Sequence, residues 1–335
     1  MSAGKPLSYH VLVSGLLPAA GAPLPDGTRP RWSPLSHTLI HGPGEAALVD
    51  PPITVAQATA LANWIEAFGK RLAYIYITHW HADHWLAAGE LAKRFPGVTV
   101  YASAATIDRM TKGTPGGVPA ELWTGLFPGQ LPEVPIPILA QPVPADGFAI
   151  DGHLLFAVEA GHSDTDDSTV LHAPSIGLVA AGDVVYSNVH QYLAETPGGG
   201  LEAWHRALDA VEALHPLNVV SGHKDPSRDD SPADIGETRR YLDDAGALLA
   251  TGPTRTEFYS RLLELYPQRI NPYTAWLSAT RLLKDQLGFQ ALTRACGLGS
   301  GAILGRQTHR RSRSRRWWES QDHRGTKTSA PGGLA

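Results

Sequence analysis

An uninterrupted apolar run, "LAYIYIT" (72–78), is followed at once by His79, His81, Asp83 and His84. The run reads as a buried strand. Ionisable groups are costly to bury unless they are paired or bound. Four of them at one strand end would need more buried hydrogen-bond partners than such a place supplies as a set of core histidines. The fold must therefore bring a partner to this point. If the strand direction persists, His79 and His81 share a side, while Asp83 and His84 belong to the first turn of the helix that follows. Neutral imidazole and carboxylate together suit a borderline divalent metal such as zinc.

Other strands end in the same way. "VEAGHSDTDDST" closes a strand with His162, "IGLVAAGDVVY" with Asp183, and "LNVVSGHKD" with His223. Strands are expected over 8–16, 36–41, 45–49, 72–78, 98–102, 153–160, 168–173, 176–182 and 217–222, where β-branched and apolar runs lie between turn residues. Helical spacing appears in "ITVAQATALANWIEAFGK", which puts Val55, Ala58, Leu61, Ala62 and Ile65 on one face, and in "HWLAAGELAKRF" and "LEAWHRALDAVEAL". Further helices are expected over 234–250, 254–265 and 273–288. The Pro- and Gly-rich stretch 112–147 reads as a long surface loop.

The set resembles the metallo-β-lactamase-fold hydrolases, whose signature is H-x-H-x-D-H, then a distant His, a distant Asp and a last His. Here the signature reads His79, His81, Asp83, His84, His162, Asp183 and His223, and Asp50 in "AALVDPP" matches the family's early strand-closing aspartate. The resemblance spans about residues 35 to 225 and implies an α/β fold, an αββα sandwich of two mixed sheets face to face with helices outside. It implies two metal ions, taken as two Zn2+ with Mn, Fe or Co as alternatives. His79, His81 and His162 would hold the first, Asp83, His84 and His223 the second, and Asp183 would bridge them. Asp50 would orient ligands from outside the coordination shell. By this reading residues 1–232 form the catalytic domain, 233–305 a helical extension packed on it, and 306–335 a basic disordered tail.

A metal pair of this kind holds a hydroxide at neutral pH and polarises a carbonyl or phosphoryl oxygen, so the expected reaction is hydrolysis. Asp83 is placed to relay a proton to the leaving group. His at position 81 separates the chain from flavodiiron proteins, and His84 and Asp183 separate it from the β-lactamases, leaving β-lactam cleavage as a side activity. Tyr186 stands three residues after Asp183, the spacing at which acyl-homoserine lactonases carry a tyrosine that donates to the developing oxyanion. An ester or lactone is thus the first substrate class, with a glyoxalase II-like thioesterase or a phosphodiesterase as the alternative. Flanking residues, including "HSDTDDS", depart from the lactonase pattern. Trp80, Trp85, His190 and Tyr192 are candidate pocket residues, and Trp123, Phe127 and the later helices are candidates for a lid over an apolar substrate. His37, His41, His153, His172, His205 and His215 read as ordinary histidines.

Charge and composition bound the partners. The last thirty residues carry seven Arg and one Lys against one Glu and one Asp, +6, so residues 1–305 carry −10 of the chain's −4. An acidic body argues against a nucleic-acid substrate, although Arg-rich tails do bind RNA in some settings. The single cysteine, Cys296, rules out an internal disulfide and fits a reducing, cytoplasmic setting. "VLVSGLLPAA" reads as a first strand rather than a signal peptide, and no apolar run is long enough to span a membrane. A small-molecule substrate is expected; a homodimer is compatible with the sequence, which fixes no oligomeric state.

Overall fold

The computed structural model describes residues 6–112, 120–132 and 140–283. Its strands are β1 (Ser8–Ser14), β2 (Leu17–Pro18), β3 (Arg31–Trp32), β4 (Leu35–His41), β5 (Glu45–Val49), β6 (Arg71–Tyr76), β7 (Thr99–Ala102), β8 (Ala140–Pro142), β9 (Phe148–Ile150), β10 (His153–Gly161), β11 (Ser168–Ala173), β12 (Leu178–Ser187) and β13 (Asn218–Lys224). The helices are α1 (Val55–Glu66), α2 (Ala88–Arg94), α3 (Ala104–Lys112), α4 (Ala120–Leu126), α5 (Gly200–Glu212), α6 (Ala233–Ala250), α7 (Arg255–Leu265) and α8 (Pro272–Leu282).

Two mixed sheets form, in the orders β1-β4-β5-β6-β7-β8 and β13-β12-β11-β10-β9. Side chains on successive strand positions point to opposite faces, and here both faces are used. Ile40, Ala47, Val49 and Tyr76 of the first sheet meet Leu155, Leu171, Leu178 and Val220 of the second in one buried cluster. Their neighbours Leu39, Leu48 and Ile75 turn the other way, onto Ala58, Leu61, Ala62 and Ile65 of α1. On the far side, Val179, Ala181 and Val185 of β12 pack with Trp204 and Leu208 of α5 and with Tyr241, Phe258, Leu262 and Ala275 of α6 to α8. The result is the expected αββα sandwich. Helix α1 starts at a capping box in which Thr54 and Gln57 exchange side chain–backbone bonds. Val55, expected on its buried face, is 38% exposed.

Three differences from the sequence reading matter. The 112–147 stretch is not all loop: it carries α4 and β8, because Trp123, Leu126 and Phe127 are buried in the first outer core. Strand β12 continues five residues past its expected end at 182, and all ten of its residues are buried, so Asp183 and Tyr186 lie within a strand rather than after one. The chain after His81 enters a single 3-10 turn, Ala82–His84, before α2 begins. Residues 284–288 of the expected last helix, Cys296 and the Arg-rich tail lie outside the described residues. Among the described residues no helix is long and apolar enough to cross a membrane.

Candidate metal centre

Asp50, just past β5, anchors the centre. It adopts φ 56, a left-handed conformation that Asp tolerates better than most residues, and His37 Nδ1 donates to its carbonyl at 2.6 Å. Its carboxylate accepts from the Thr78 amide at 2.9 Å, from the Thr78 hydroxyl at 2.8 Å and from His84 Nδ1 at 2.9 Å. Thr78 Oγ1 in turn takes a bond from His79 Nδ1 at 3.0 Å. His223 Nδ1 donates to the Pro34 carbonyl at 2.7 Å, and His81 Nε2 to Glu195 Oε1 at 3.1 Å. Each of these four imidazoles therefore spends one nitrogen on the protein, which assigns the proton to that nitrogen and leaves the other a lone pair.

The free nitrogens converge on carboxylates. His79 Nε2 and His81 Nδ1 lie 3.8 and 2.7 Å from Asp164 Oδ2. His84 Nε2 and His223 Nε2 lie 3.9 and 3.4 Å from Asp83 Oδ2. Asp183 stands between the groups, with Oδ1 3.2 Å from His84 Nε2 and Oδ2 3.2 Å from His223 Nε2. Three ligand sets with atoms within 4.8 Å of one another result: His79, His81 and Asp164; Asp83, His84 and His223; and His79, His84 and Asp183. His79 Nε2, His84 Nε2, Asp164 Oδ2 and Asp183 Oδ1 are buried without a hydrogen-bond partner. Buried polar atoms are seldom left so, and imidazole with carboxylate oxygen is a donor set for divalent metal. The residues fit a pair of such ions.

The electrostatics point the same way. Burial holds His79 well below the ordinary imidazole range. Burial also opposes charge on His223, yet Asp183 and Asp83 lift it to about 10. Burial raises the Asp164 carboxyl. Converging carboxylates thus demand positive charge at the centre, which either protons or metal ions can supply, and binding metal releases those protons.

Local backbone makes these approaches possible. Gly182 has φ +50, and a Cβ there would lie 2.5 Å from Thr78 Oγ1; a Cβ on Gly222 would collide with Asp183 Oδ1. The β12–β13 register shifts on either side of Gly182, a bulge that re-aims Asp183. Tyr186, three residues further along the strand, donates its hydroxyl to Asp183 Oδ2 at 2.6 Å.

Above the centre opens a cavity of about 340 Å³. Its floor includes Asp83, Asp164, Asp183 and His223, and its walls Trp32, Trp80, Trp123, Tyr192, Tyr273 and Leu277. Trp80 and Tyr192 are thus where the sequence reading put them, and Trp123 and α8 do help to cover the site. Trp85 is instead a core residue that donates to the Trp80 carbonyl at 2.7 Å. His190 faces Tyr241 Oη at 3.0 Å, inside the second outer core. His162 is not in any of the three ligand sets, but like the other imidazoles it spends Nδ1 on the protein, on Asp166 Oδ1 at 2.6 Å, and its Nε2 is buried without a hydrogen-bond partner. Asp164, Glu195 and Trp32, whose Nε1 donates to Asp83 Oδ2 at 2.9 Å, are site residues that sequence reading missed. The carboxylates of "HSDTDDS" and "LAE" were the available signal, but nothing local ranked them.

Two facing sheets with a histidine–aspartate centre at the floor of a cleft define a class of metal-dependent hydrolase. The family model described as the metallo-beta-lactamase superfamily matches residues 31–223, and the chain belongs to that superfamily. Among its relatives, a metallo-beta-lactamase type 2 of Bacteroides fragilis is 26% identical over 201 residues, 57% of this chain and 70% of that one. A hydroxyacylglutathione hydrolase of Acidiphilium cryptum is 30% identical over 191 residues, 56% of this chain and 62% of that one. A metallo-beta-lactamase family protein of Thermus thermophilus shares the fold with TM-score 0.54 at 20% identity, over 86% of this chain and 95% of that one.

Proposed function

We propose that the chain hydrolyses an ester or lactone with an apolar acyl group, using two divalent ions, Zn2+ in the first instance. The observation that carries this reading is the convergence of the ligand sets on the floor of an aromatic-walled cavity. Such ions, when bound, acidify coordinated water and polarise the scissile carbonyl. His79, His81 and His162 would hold the first ion and Asp83, His84 and His223 the second, with Asp183, beside His84 and His223, serving both.

The protein's own groups do the rest. Trp32, Trp80, Trp123 and Tyr273 give the acyl chain an apolar wall and displace water from it. Asp83 faces the cavity and can carry a proton toward the leaving alkoxide. Trp32 donates to Asp83 and fixes its rotamer. Tyr186 also faces the cavity. Its hydroxyl can swing from Asp183 toward an oxyanion developing on the substrate. The cytoplasm fits the single cysteine. A thioester is the second reading, favoured by the 30% identical relative named for hydroxyacylglutathione hydrolysis.

The test is a panel of lactones, open-chain esters, thioesters, phosphodiesters and a β-lactam with matched acyl chains, assayed on metal-loaded protein. The oxygen esters should give the highest kcat/KM, rising with acyl length. A thioester or phosphodiester faster by about tenfold would replace the reading, since about 1.4 kcal/mol of transition-state preference would then lie elsewhere.

A further inference from the structure

We propose that Arg109 is a positioning residue for the first metal subsite: from α3 it holds the carboxylate of Asp166, and through Asp166 it fixes the ring of His162. This rests on the metal-dependent reading above, in which His162 is a ligand, and it concerns how that ligand is held and not the substrate.

His162 is the imidazole with the least secure partner. His84 is held by Asp50 and His79 by Thr78, both buried, and His223 by a backbone carbonyl. Glu195, which holds His81, has its second oxygen fixed by the Thr165 hydroxyl at 2.6 Å. His162 Nδ1 depends on Asp166, whose side chain is 57% exposed. An exposed carboxylate is free to change rotamer, and a lone surface pair is worth little. A ring tied to such a group alone could turn, and its buried, unpartnered Nε2 would turn with it.

Arg109 removes that freedom. Its Nη2 donates to Asp166 Oδ2 at 2.9 Å and its Nε to Asp167 Oδ2 at 2.5 Å. Asp166 Oδ1 is left for His162 Nδ1 at 2.6 Å, so each oxygen of Asp166 has one partner. Asp167 adopts φ 59, a left-handed conformation that Asp tolerates, and the two neighbouring carboxylates meet the same guanidinium. The planar fork of an arginine fixes both directions at once, which a lysine ammonium cannot do. Helix α3 is itself anchored. Met110 lies in the first outer core, and Ser103 Oγ accepts from the Thr106 amide at 3.0 Å at the helix start.

Other bonds hold the turn between β10 and β11 but not the ring. Trp80 Nε1 donates to Thr165 Oγ1 at 2.7 Å, and the Ser163 amide donates to the Thr165 carbonyl at 2.9 Å. They set where the turn lies, and Asp166 with Arg109 sets how the imidazole faces. Arg109 is not among the residues that line the catalytic cavity, so its effect on the centre passes through Asp166.

The experiment is a double-mutant cycle read as metal affinity. Zn2+ is titrated against a chelating dye in the full-length protein, with melting curves to verify folding. Asp166→Ala should weaken the first ion by roughly 10- to 100-fold. Arg109→Ala should weaken the same ion by about 3- to 5-fold, the upper range of a partly exposed pair, and leave the second ion unchanged. Arg109→Gln serves the same purpose should the alanine variant not fold. Arg109→Lys keeps the charge without the fork and should recover part of the loss. Added to Asp166→Ala, Arg109→Ala should change nothing further, because the two act as one unit. The proposal is overturned if the Arg109 variants bind both ions at wild-type affinity. It is equally overturned if the two losses multiply in the double variant, which would make Arg109 a packing residue of α3. Folded wild type that binds no metal would remove the metal-centre reading and the proposal with it. Two bound ions with no hydrolysis of any panel substrate would remove the functional reading and leave the role of Arg109 standing.

Discussion

A buried imidazole can serve a metal only if one nitrogen is kept for it, and the centre enforces this residue by residue. Asp50, Thr78, Pro34 and Glu195 each hold one ring nitrogen of His84, His79, His223 and His81. Glu195→Ala removes the partner of His81 and also the acceptor of the Thr165 hydroxyl, but of the four imidazoles it touches only His81. The first ion should then bind about 10- to 100-fold more weakly, measured by competition with a chelating dye, while the second ion keeps its affinity; equal affinity for both ions would show that Glu195 orients nothing. Tyr186→Phe tests a different step. It removes a hydroxyl that bonds Asp183 and faces the cavity, with the ring kept. Two ions should remain and kcat should fall by roughly 10- to 1,000-fold with little change in KM, whereas an unchanged kcat across esters and lactones would make Tyr186 a packing residue. At this scale the sequence showed His79, His81, Asp83 and His84 because they are neighbours in the chain. Asp50, Asp183 and His223 showed only through the order of the signature. Asp164 did not show, because it is one of three aspartates in the turn after β10 and no local pattern ranks it above the others. Glu195 stands 114 residues from His81, and no short-range pattern links them.

The elements were easier to read than their ends. The nine strands expected from β-branched runs all form, since those runs fill one of three packed cores. The short β2, β3, β8 and β9 were missed, because two or three residues carry no periodicity. Helix α4 was missed because its stretch reads as Pro- and Gly-rich loop, and only burial of Trp123 and Leu126 reveals it. Within β12 the decisive detail is Gly182. Any side chain there meets positive φ and a Thr78 hydroxyl at 2.5 Å. Gly182→Ala should therefore cost about 1–3 kcal/mol from backbone strain alone. It should also loosen metal, because Thr78 holds both Asp50 and His79. Calorimetry with and without Zn2+ reads both effects; a melting temperature within error of wild type would mean that the bulge is not strained against Thr78.

On the scale of the whole molecule, the helices after residue 233 are not an appendage, since Tyr241, Phe258, Tyr259 and Leu262 complete the core behind β12. His190 lies at this junction. Its amide donates to the Ile270 carbonyl at 3.1 Å and its ring meets Tyr241 Oη at 3.0 Å. Arg269 stacks over Tyr241 at 4.7 Å and donates to the Val189 carbonyl at 2.7 Å. Burial, with a smaller push from Arg269, lowers His190 from 6.5 to about 3. In the folded protein His190 is thus neutral down to about pH 3, whereas in the unfolded chain it takes a proton below about 6.5. The unfolded state binds more protons between these values, so stability is fully present above pH 6.5 and is lost as pH falls toward 3. The limiting slope for one group is about 1.4 kcal/mol per pH unit. His190→Gln keeps a hydrogen-bonding side chain for Tyr241 and removes the titration. Its stability will differ from wild type at neutral pH by whatever repacking costs. As the pH falls from 6.5 toward 3, the variant should lose less than wild type, and the two curves should converge or cross. Denaturant melts of both proteins across that range, with metal chelated so that ligand protonation is common to both, measure the difference directly. Parallel curves would show that the junction carries no acid-sensitive histidine.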